Sequence, residues 1–472
     1  MVSTESRNFL VLILSSIALA LVLSFLGFTA LQVTATTVFF SSVMGTILFW
    51  KFRLAIIAAG IAILLGTNTI NIETMIQFMS ADVILFLIGM MTLVALLRRV
   101  GFFESVMIGM VNWTNWDPKK LMIVFALVAA LSSALVDEVT AILLIAAVVL
   151  DICDHLNIEP TRYIIVSVLA ANIGSSATVF GNPIGILIAL RAGLTFEEFI
   201  RWAAPISIAA LLALIPIVIV YYRKGLAEDT KIVEMKLKRG VPAYLRPSHM
   251  IADKRRFYIA LAIFLATLGG IVVHGRIEEA LHLEKNSMLL GVSLLAASAV
   301  LIVERRDAQK LIEREVDWWN ITFFMLLFTS AGALRYTGVT DVLAKAIFSA
   351  SGGQEITLMT FVLFFSAILS GFVDNTPLIA AFIPVVQSFG TIGGVNIYPL
   401  WWAMLFGGTL GGNITIIGST ANIVALGVLE KRKGTLVSFF TWLKIGFITF
   451  VVTTFIAWAL LYIQMPLLTA PR

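Results

Sequence analysis

Long apolar runs, separated by short polar stretches, follow one another along the whole chain. Each run of about 17–20 apolar residues is long enough to cross the hydrocarbon core of a membrane as a helix. Strand-like alternation of polar and apolar positions is absent from the sequence, which argues against a membrane β-barrel. The pattern therefore predicts an all-α polytopic membrane protein.

Two kinds of interruption break the apolar pattern in both halves of the chain. Two pairs of short apolar segments are each split by an acidic residue, which predicts re-entrant hairpins near 121–153 and 357–390. Two longer pieces, 162–190 and 398–428, contain glycines and polar residues at mid-length and predict broken helices. The remaining spans are expected near 9–27, 33–50, 54–69, 82–98, 204–222, 257–274, 287–303, 319–335 and 438–463.

Basic residues set the expected orientation. The sequence is 60% hydrophobic and 13% charged, with a net charge of +5, and residues 223–256 form the most polar stretch. We take 223–256 as a cytoplasmic basic linker between an N-terminal half, 1–222, and a C-terminal half, 257–472. With each hairpin counted as no crossing, the other basic clusters also fall on the cytoplasmic side. This gives about 11 transmembrane helices in the cell membrane (plasma or inner), with the N-terminus cytoplasmic and the C-terminus external.

An internal repeat relates the two halves. "LRRVG" at 97–101 resembles "LRYTG" at 334–338, "SALVDEVT" at 133–140 resembles "SGFVDNTP" at 370–377, and "ATVFG" at 177–181 resembles "ITIIG" at 414–418. All three pairs have the same offset, which indicates a duplication. Five crossings and one hairpin separate the first pair, so the copies are expected to be inverted; two crossings by 162–190 would instead make them parallel. Inverted repeats are typical of secondary transporters, whose sites lie where the copies meet.

Other classes of protein fit the sequence less well. The basic charge has no interleaved aromatic pattern, so no nucleic-acid partner is expected. A single cysteine gives no disulfide framework, and the four histidines lack metal-ligand spacing. The potassium-channel "TVGYG", the metalloprotease HExxH and the ATP-binding GxxxxGK[ST] are absent. We therefore expect neither an enzyme nor a channel, and no cofactor beyond a coupling Na⁺ or H⁺. Membrane lipid and a small inorganic solute are the expected partners.

The hairpin tips and helix breaks carry the candidate chemistry. A carboxylate at membrane depth is costly and calls for a function, and a helix that starts at a break directs free N–H groups and partial positive charge inward. Carbonyl and carboxylate oxygens could hold Na⁺ or a proton, with possible Na⁺ at Asp137 and Asp374. Hydroxyl and amide side chains could bind an oxyanion or a neutral hydroxylated solute. The candidates are Asp137, Glu138, Thr140, Asn172, Ser175, Ser176, Thr178, Gly181, Asn182, Asp374, Asn375, Thr376, Asn413, Thr415, Gly418, Ser419, Thr420 and Asn422.

At these residues the chain resembles the ion transporter superfamily. "SALVDEVTAILL", "ANIGSSATVFGNPIGILI", "SGFVDNTPLIAAFIPVV" and "LGGNITIIGSTANIVALGVLEKRKG" are similar to its branch of arsenite permeases, NhaD-type sodium/proton antiporters and the melanosomal P protein. Citrate and dicarboxylate transporters are more distant relatives. The resemblance covers roughly residues 50–465. It implies a scaffold subdomain that forms a homodimer, a transport subdomain of hairpins and broken helices, and elevator-like alternating access.

The first copy departs from the motifs of that branch, whereas the second copy keeps them. Glu138 and Gly185 stand where asparagine is usual, and Asn182 stands where aspartate is usual. An acid has thus moved from the broken helix to the hairpin tip, which suits proton coupling. We expect a secondary transporter for a small inorganic ion, oxyanion or metalloid such as arsenite, driven by H⁺ or Na⁺. Sodium/proton exchange is the alternative, and a dicarboxylate or citrate substrate is less favoured.

Overall fold

The computed structural model describes residues 4–237 and 253–469, and every regular element in those two ranges is helical. A 3₁₀ turn, Asn112–Thr114, follows α6, and a π-helical turn, Phe199–Ala203, joins α11 to α12. The helices before residue 238 are α1 (Thr4–Phe25), α2 (Ala30–Leu48), α3 (Arg53–Gly66), α4 (Ile72–Phe78), α5 (Ala81–Arg99), α6 (Phe102–Val111), α7 (Pro118–Leu135), α8 (Glu138–Leu156), α9 (Thr161–Gly174), α10 (Pro183–Ala192), α11 (Phe196–Glu198), α12 (Ala204–Tyr221) and α13 (Arg223–Leu237).

The second half repeats this order at a constant offset. α17 corresponds to α5, and the two hairpins and two broken helices correspond likewise. The helices after residue 252 are α14 (Lys254–Leu281), α15 (Ser287–Val303), α16 (Ala308–Glu315), α17 (Trp318–Tyr336), α18 (Val339–Ser351), α19 (Glu355–Ser370), α20 (Asn375–Gly393), α21 (Tyr398–Gly411), α22 (Thr420–Lys433) and α23 (Phe439–Leu468).

The predicted polytopic helical fold is confirmed. Among the described residues, nine helices are long and apolar enough to cross a membrane. Three of these, α7, α8 and α20, are arms of the two hairpins, α7–α8 and α19–α20. The broken helices are α9–α10 and α21–α22, each with an irregular segment between its halves.

Several shorter helices were not predicted from the sequence. α6 and α18 precede the two hairpins, and α4 and α16 precede α5 and α17. Residues 223–237 of the expected linker form α13, which packs on α7 and α8, and α14 already begins at Lys254. The rest of that linker, 238–252, lies outside the described residues.

Ion pairs gather the basic clusters at one end of the helices, which we call the basic face. Arg98 pairs with Glu315, and Arg99 lies 3.3 Å from Glu304. Arg432, at the end of α22, pairs with Asp151 near the end of α8. The first hairpin therefore opens on the basic face, to which α22 also returns.

The second hairpin opens on the opposite face. Glu355, at the start of α19, accepts a hydrogen bond from the Asn396 N–H at 3.2 Å. The side chain of Asn396 donates to the Leu468 carbonyl at the end of α23. Tyr398, two residues further on, donates to Glu198 at 2.9 Å. The 30-residue α23 begins just after the basic end of α22 and ends here at Leu468, so the second hairpin opens on the face opposite the first and the two copies are inverted.

Glycines allow equivalent helix pairs to approach closely in both copies. A Cβ at Gly174 would lie 2.2 Å from the Ala130 carbonyl oxygen, between α9 and α7. A Cβ at Gly411 would lie 2.2 Å from the Ala367 carbonyl oxygen, between α21 and α19. Each broken helix is therefore held directly against the first arm of its own hairpin.

Helices of each copy also pack on helices of the other copy. α3 of the first copy packs on α17 of the second, and α15 of the second copy packs on α5 of the first. Across the centre, α8 packs on α22, and α10 packs on α20. The hairpins and broken helices are thus interleaved at the middle of the molecule.

Candidate functional site

Four helix N-termini converge where the hairpin tips meet the helix breaks. The Glu138 N–H at the start of α8 donates to the Gly181 carbonyl beside the start of α10, at 2.9 Å. At the start of α22, the hydroxyl of Thr420 donates to Asp374 Oδ2 at 3.1 Å, beside the start of α20. Helix N-termini carry partial positive charge, so the carboxylates at the tips lie in a favourable field.

Glu138 is the carboxylate that joins the two copies. Its Oε1 atom accepts hydrogen bonds from the Asn375 amide and from the Ser419 hydroxyl, both at 3.2 Å. Glu138 and Asn375 occupy equivalent repeat positions, 237 residues apart. Two equivalent residues can contact each other only beside the symmetry axis, so the pseudo-twofold axis passes between them.

The two tip aspartates have different surroundings. Asp137 caps α8, and its Oδ1 accepts hydrogen bonds from the N–H groups of Val139 at 2.9 Å and Thr140 at 3.4 Å. Asp374 makes no side-chain cap to α20. Among the described residues its Oδ1 atom is buried without a hydrogen-bond partner, and so is Oε2 of Glu138. These two oxygens are free to bind a cation or a proton.

An amide cluster ties the two broken helices together. Asn172 of α9 donates to the side-chain oxygens of Asn413 and Asn422, at 2.8 and 2.9 Å. Asn422 in turn donates to the carbonyls of Gly412 and Thr415, at 2.8 and 2.9 Å. All three asparagines are fully or almost fully buried. The cluster fixes the break between α21 and α22 against α9.

Several candidate hydroxyls hold the backbone in place. Thr178 donates to the Ala134 carbonyl, and its repeat equivalent Thr415 donates to the Gly371 carbonyl at 2.5 Å. Ser176 bonds to Ser207 of α12. These three side chains connect each helix break to the structure around it, and none of them lines the cavity at the tips.

Further candidates shape the breaks themselves. Asn182 caps α10 by accepting from the Gly185 N–H at 2.7 Å, and it donates to the Ser175 hydroxyl at 2.9 Å. A Cβ at Gly181 would lie 2.1 Å from the Ser175 carbonyl oxygen, so no larger residue fits there. Gly418 is the repeat equivalent of Gly181. A Cβ added at Gly418 would lie 2.8 Å from the Gly412 carbonyl oxygen.

A cavity of about 70 Å³ opens at the tips. Six of the candidates from the sequence line it, and four of its ten polar or charged lining residues are acids. The lining residues are Met91, Val94, Ala95, Arg98, Asp137, Glu138, Val139, Thr140, Pro183, Glu315, Asp317, Asn320, Phe324, Asn375, Thr376 and Thr420. Arg98 and Glu315 belong to the basic face, so the cavity extends toward that face.

Sequence reasoning missed five polar residues in or beside this cavity. Arg98, Glu315, Asp317 and Asn320 come from the ends of α5, α16 and α17, and Arg53 donates to Asn320 from α3. Arg98 lies in the repeated segment LRRVG, whereas the other four residues lie outside every repeated motif, so the motifs carried no signal for those four.

A second cavity of about 250 Å³ lies toward the opposite face. It is lined by Phe328, Ala331, Gly332 and Arg335, the repeat equivalents of Met91, Val94, Ala95 and Arg98 in the first cavity. Neither tip aspartate lines it. Equivalent residues of the two copies thus line two cavities that lie toward opposite faces. Of these two cavities, only the one toward the basic face reaches the hairpin tips.

Inverted repeats, re-entrant hairpins and broken helices around a central polar cavity define a membrane transporter. The chain belongs to the citrate transporter family. The model of that family matches residues 46–407 and, in a second match, residues 281–470. It is 34% identical over 403 residues to an uncharacterized transporter of Mycobacterium tuberculosis, covering 84% of this chain and 90% of the relative. The likeness to the ion transporter superfamily is confirmed.

More distant comparisons agree with this placement. The P protein of Homo sapiens is 26% identical over 501 residues, which cover 90% of this chain and 59% of that protein. The structure of the Alcanivorax borkumensis YdaH transporter matches with a TM-score of 0.56 and 13% identity. The match covers 87% of this chain and 90% of that one. That structure supports the fold alone.

Proposed function

We propose that this protein is a secondary active transporter of a small inorganic solute, coupled to Na⁺ or H⁺. The observation that carries the proposal is the small, carboxylate-lined cavity at the pseudo-twofold axis, where both hairpin tips and both broken helices meet. Its volume, about 70 Å³, suits an ion or a small hydroxylated molecule better than a drug-sized ligand, which needs about 300 Å³ or more.

The charge of the cavity favours a cation. Asp137, Glu138, Glu315 and Asp317 line it, against Arg98, which already pairs with Glu315. Like charges repel strongly where water is scarce. A multivalent anion such as citrate would therefore be repelled, although the family carries that name. This charge balance favours cation/proton exchange over oxyanion transport as the proposed function.

A neutral hydroxylated solute is the second candidate. Thr140, Asn375, Thr376 and Thr420 present hydroxyl and amide groups to the same cavity. Such groups can bind arsenous acid or a similar metalloid through hydrogen bonds without adding charge. The Oε2 atom of Glu138, which has no hydrogen-bond partner among the described residues, would then bind the coupling ion.

The two cavities support alternating access. They occupy equivalent positions in the two copies and extend toward opposite faces, and only one reaches the tips. We propose that the hairpins and broken helices move against the remaining helices, as in an elevator, so that the tips reach the second cavity. We also propose a homodimer formed by the scaffold helices and a cytoplasmic location for the basic face. Enzymatic activity has no place in this proposal.

The test is transport by the purified protein in liposomes. Imposed H⁺ and Na⁺ gradients would be combined with a pH dye inside the vesicles, with and without arsenite. Glu138→Gln is the informative variant, because it removes the charge and keeps the size. Glu73→Gln, at an exposed position on α4, is the matched control.

The outcomes separate the two candidates. Sodium-dependent proton flux without arsenite, with its pH dependence lost in Glu138→Gln and kept in Glu73→Gln, would support cation/proton exchange. Flux that appears only with arsenite would favour the neutral solute. Transport with the same pH dependence in Glu138→Gln as in wild type would refute the role of Glu138.

A further inference from the structure

A groove of about 440 Å³ lies on the basic face, where the start of α7 meets the end of α12 and the outer side of α13. It shares no lining residue with the cavity at the hairpin tips. The groove combines basic side chains from α7 and α13 with the apolar end of α12. Its lining residues are Lys119, Ile219, Val220, Arg223, Ala227, Thr230, Lys231 and Glu234.

Buried contacts fix α13 in place beside the groove. The Asp229 carboxylate of α13 accepts hydrogen bonds from Arg162 at 2.7 Å and from the Tyr163 hydroxyl at 2.8 Å, both at the start of α9. Leu226 and Val233 are buried on the same side of α13, at the spacing of one helix face. The groove residues of α13 lie on its other side and are therefore held at a fixed distance from α7 and α12.

The groove carries a net positive charge. Lys119, Arg223 and Lys231 are exposed and line it together, against one acid, Glu234. In the part of the chain that the structure describes, none of these three basic side chains forms an ion pair. Like charges brought together repel one another, so an anion bound between them would stabilise the folded protein.

The groove also adjoins a surface that faces lipid. α12 belongs to a segment long and apolar enough to cross a membrane, and its side chains Leu212 and Val220 are 61% and 65% exposed. Trp113, just before α7, is 82% exposed, and tryptophan is enriched where a membrane meets water. The groove therefore lies at the level of the lipid head groups, directly beyond the end of the lipid-facing side of α12.

We propose that this groove binds the head group of an anionic phospholipid. Lys119, Arg223 and Lys231 bind its phosphate, and its acyl chains lie along Ile219 and Val220. Basic pockets beside membrane helices bind such head groups in this way. The groove volume, about 440 Å³, falls in the range of about 300–1,000 Å³ for pockets that hold larger molecules, so a free phosphate ion would leave most of it empty. The inference does not depend on which solute is transported.

A lipid in this groove stabilises the base of the first hairpin. Lys119 lies in the first turn of α7, the first arm of that hairpin, and α13 packs on both arms, α7 and α8. One phosphate bound by Lys119, Arg223 and Lys231 therefore links two separate helices of the basic face. A ligand that binds only the folded state raises its thermal stability, so binding can be measured without a transport assay.

The test measures thermal unfolding of the purified, delipidated full-length protein in a neutral detergent at constant ionic strength. Dioleoyl phosphatidylglycerol, dioleoyl phosphatidylcholine and inorganic phosphate would each be added over the same concentration series. The groove variant combines Lys119→Gln, Arg223→Gln and Lys231→Gln. The matched control combines Lys254→Gln, Arg305→Gln and Arg306→Gln, which removes three exposed charges from the basic face outside the groove.

Phosphatidylglycerol should raise the melting temperature of the wild type and of the control variant, and the other two additives should not. Each basic residue near an anionic lipid contributes about fivefold to binding, so the groove variant should need about 100-fold more phosphatidylglycerol for the same shift.

Three results would overturn the proposal. One is an equal response to phosphatidylglycerol in the groove and control variants, which would indicate attraction by total charge alone. Another is an equal shift with phosphatidylcholine. The third is an equal shift with inorganic phosphate, which would indicate a site for a soluble anion. If the groove variant does not fold, Lys119→Gln and Lys254→Gln replace the two triple variants, and only the first should lower the apparent affinity, by about fivefold.

Discussion

Replacing Gly174 by alanine tests the close packing that holds the first broken helix. The added methyl would lie 2.2 Å from the Ala130 carbonyl oxygen and 2.5 Å from its Cα. Both are backbone atoms of α7 that cannot rotate away, so α7 and α9 must separate. Gly411→Ala meets the same 2.2 Å contact with Ala367 in the second copy. The repeat thus supplies two independent versions of one perturbation.

The expected cost follows from two opposing effects. Overpacking costs about 1–3 kcal/mol, and the upper part of that range applies because the clash involves backbone. Both glycines are the last residues of their helices, so the better helix propensity of alanine offsets at most about 1 kcal/mol of this cost. We expect a net loss of about 1–2 kcal/mol from the free energy of unfolding for each variant. Gly427→Ala is the control, because nothing lies within 4 Å of a Cβ at that exposed position of α22.

The measurement is reversible unfolding of the three variants in mixed detergent, followed by tryptophan fluorescence. Gly174→Ala and Gly411→Ala should lose similar amounts of stability, and Gly427→Ala should match or exceed the wild type. The packing argument is refuted if Gly174→Ala is as stable as Gly427→Ala. A large loss in only one of the two repeat variants would contradict the equivalence of the two helix pairs.

Three further predictions concern the polar contacts and the two faces. Arg162→Ala should cost about 3 kcal/mol of unfolding free energy, because the buried Asp229 carboxylate loses its cation at 2.7 Å and keeps the hydrogen bond from the Tyr163 hydroxyl at 2.8 Å. A double-mutant cycle with Asp229→Ala checks this. Asn172→Ala should destabilise the protein by about 1–3 kcal/mol, because Asn413 and Asn422 lose a donor; equal stability of Asn172→Ala and wild type would contradict the amide cluster. Cys153 is fully buried and should not react with a membrane-impermeant maleimide, whereas cysteines introduced at Leu436 and Gln354 should react from opposite sides of a sealed vesicle. Labelling of both from one side would refute the topology.

The sequence predicted the hairpins and broken helices well, because their signals are local. An aspartate between two short apolar runs, as at Asp374, marks a hairpin tip without knowledge of the rest of the chain. The constant spacing of the motifs predicted the duplication, and equivalent contacts such as those of Thr178 and Thr415 follow it closely. The helices α6 and α18 were missed because they are short and follow directly on longer apolar runs.

The cavity was predicted only in part, because side chains from distant segments complete it. Arg53 reaches Asn320 across 267 positions of the chain, and no motif connects the two. Asp137 could not be recognised as a helix cap, since its equivalent Asp374 has a nearly identical motif and does not cap. Asp374 instead accepts a hydrogen bond from Thr420, which only the folded chain brings near.

The exchange of helices between the copies has a consequence for biosynthesis. α5 is buried along most of its length, yet its partner α15 is made only after nearly two hundred further residues have left the ribosome. α3 likewise lacks its packing partner until α17 has been synthesised. Until then, lipid, a chaperone or temporary contacts must cover the apolar faces of α3 and α5. Severed halves, expressed from separate genes, should therefore accumulate only when they are produced together in one cell.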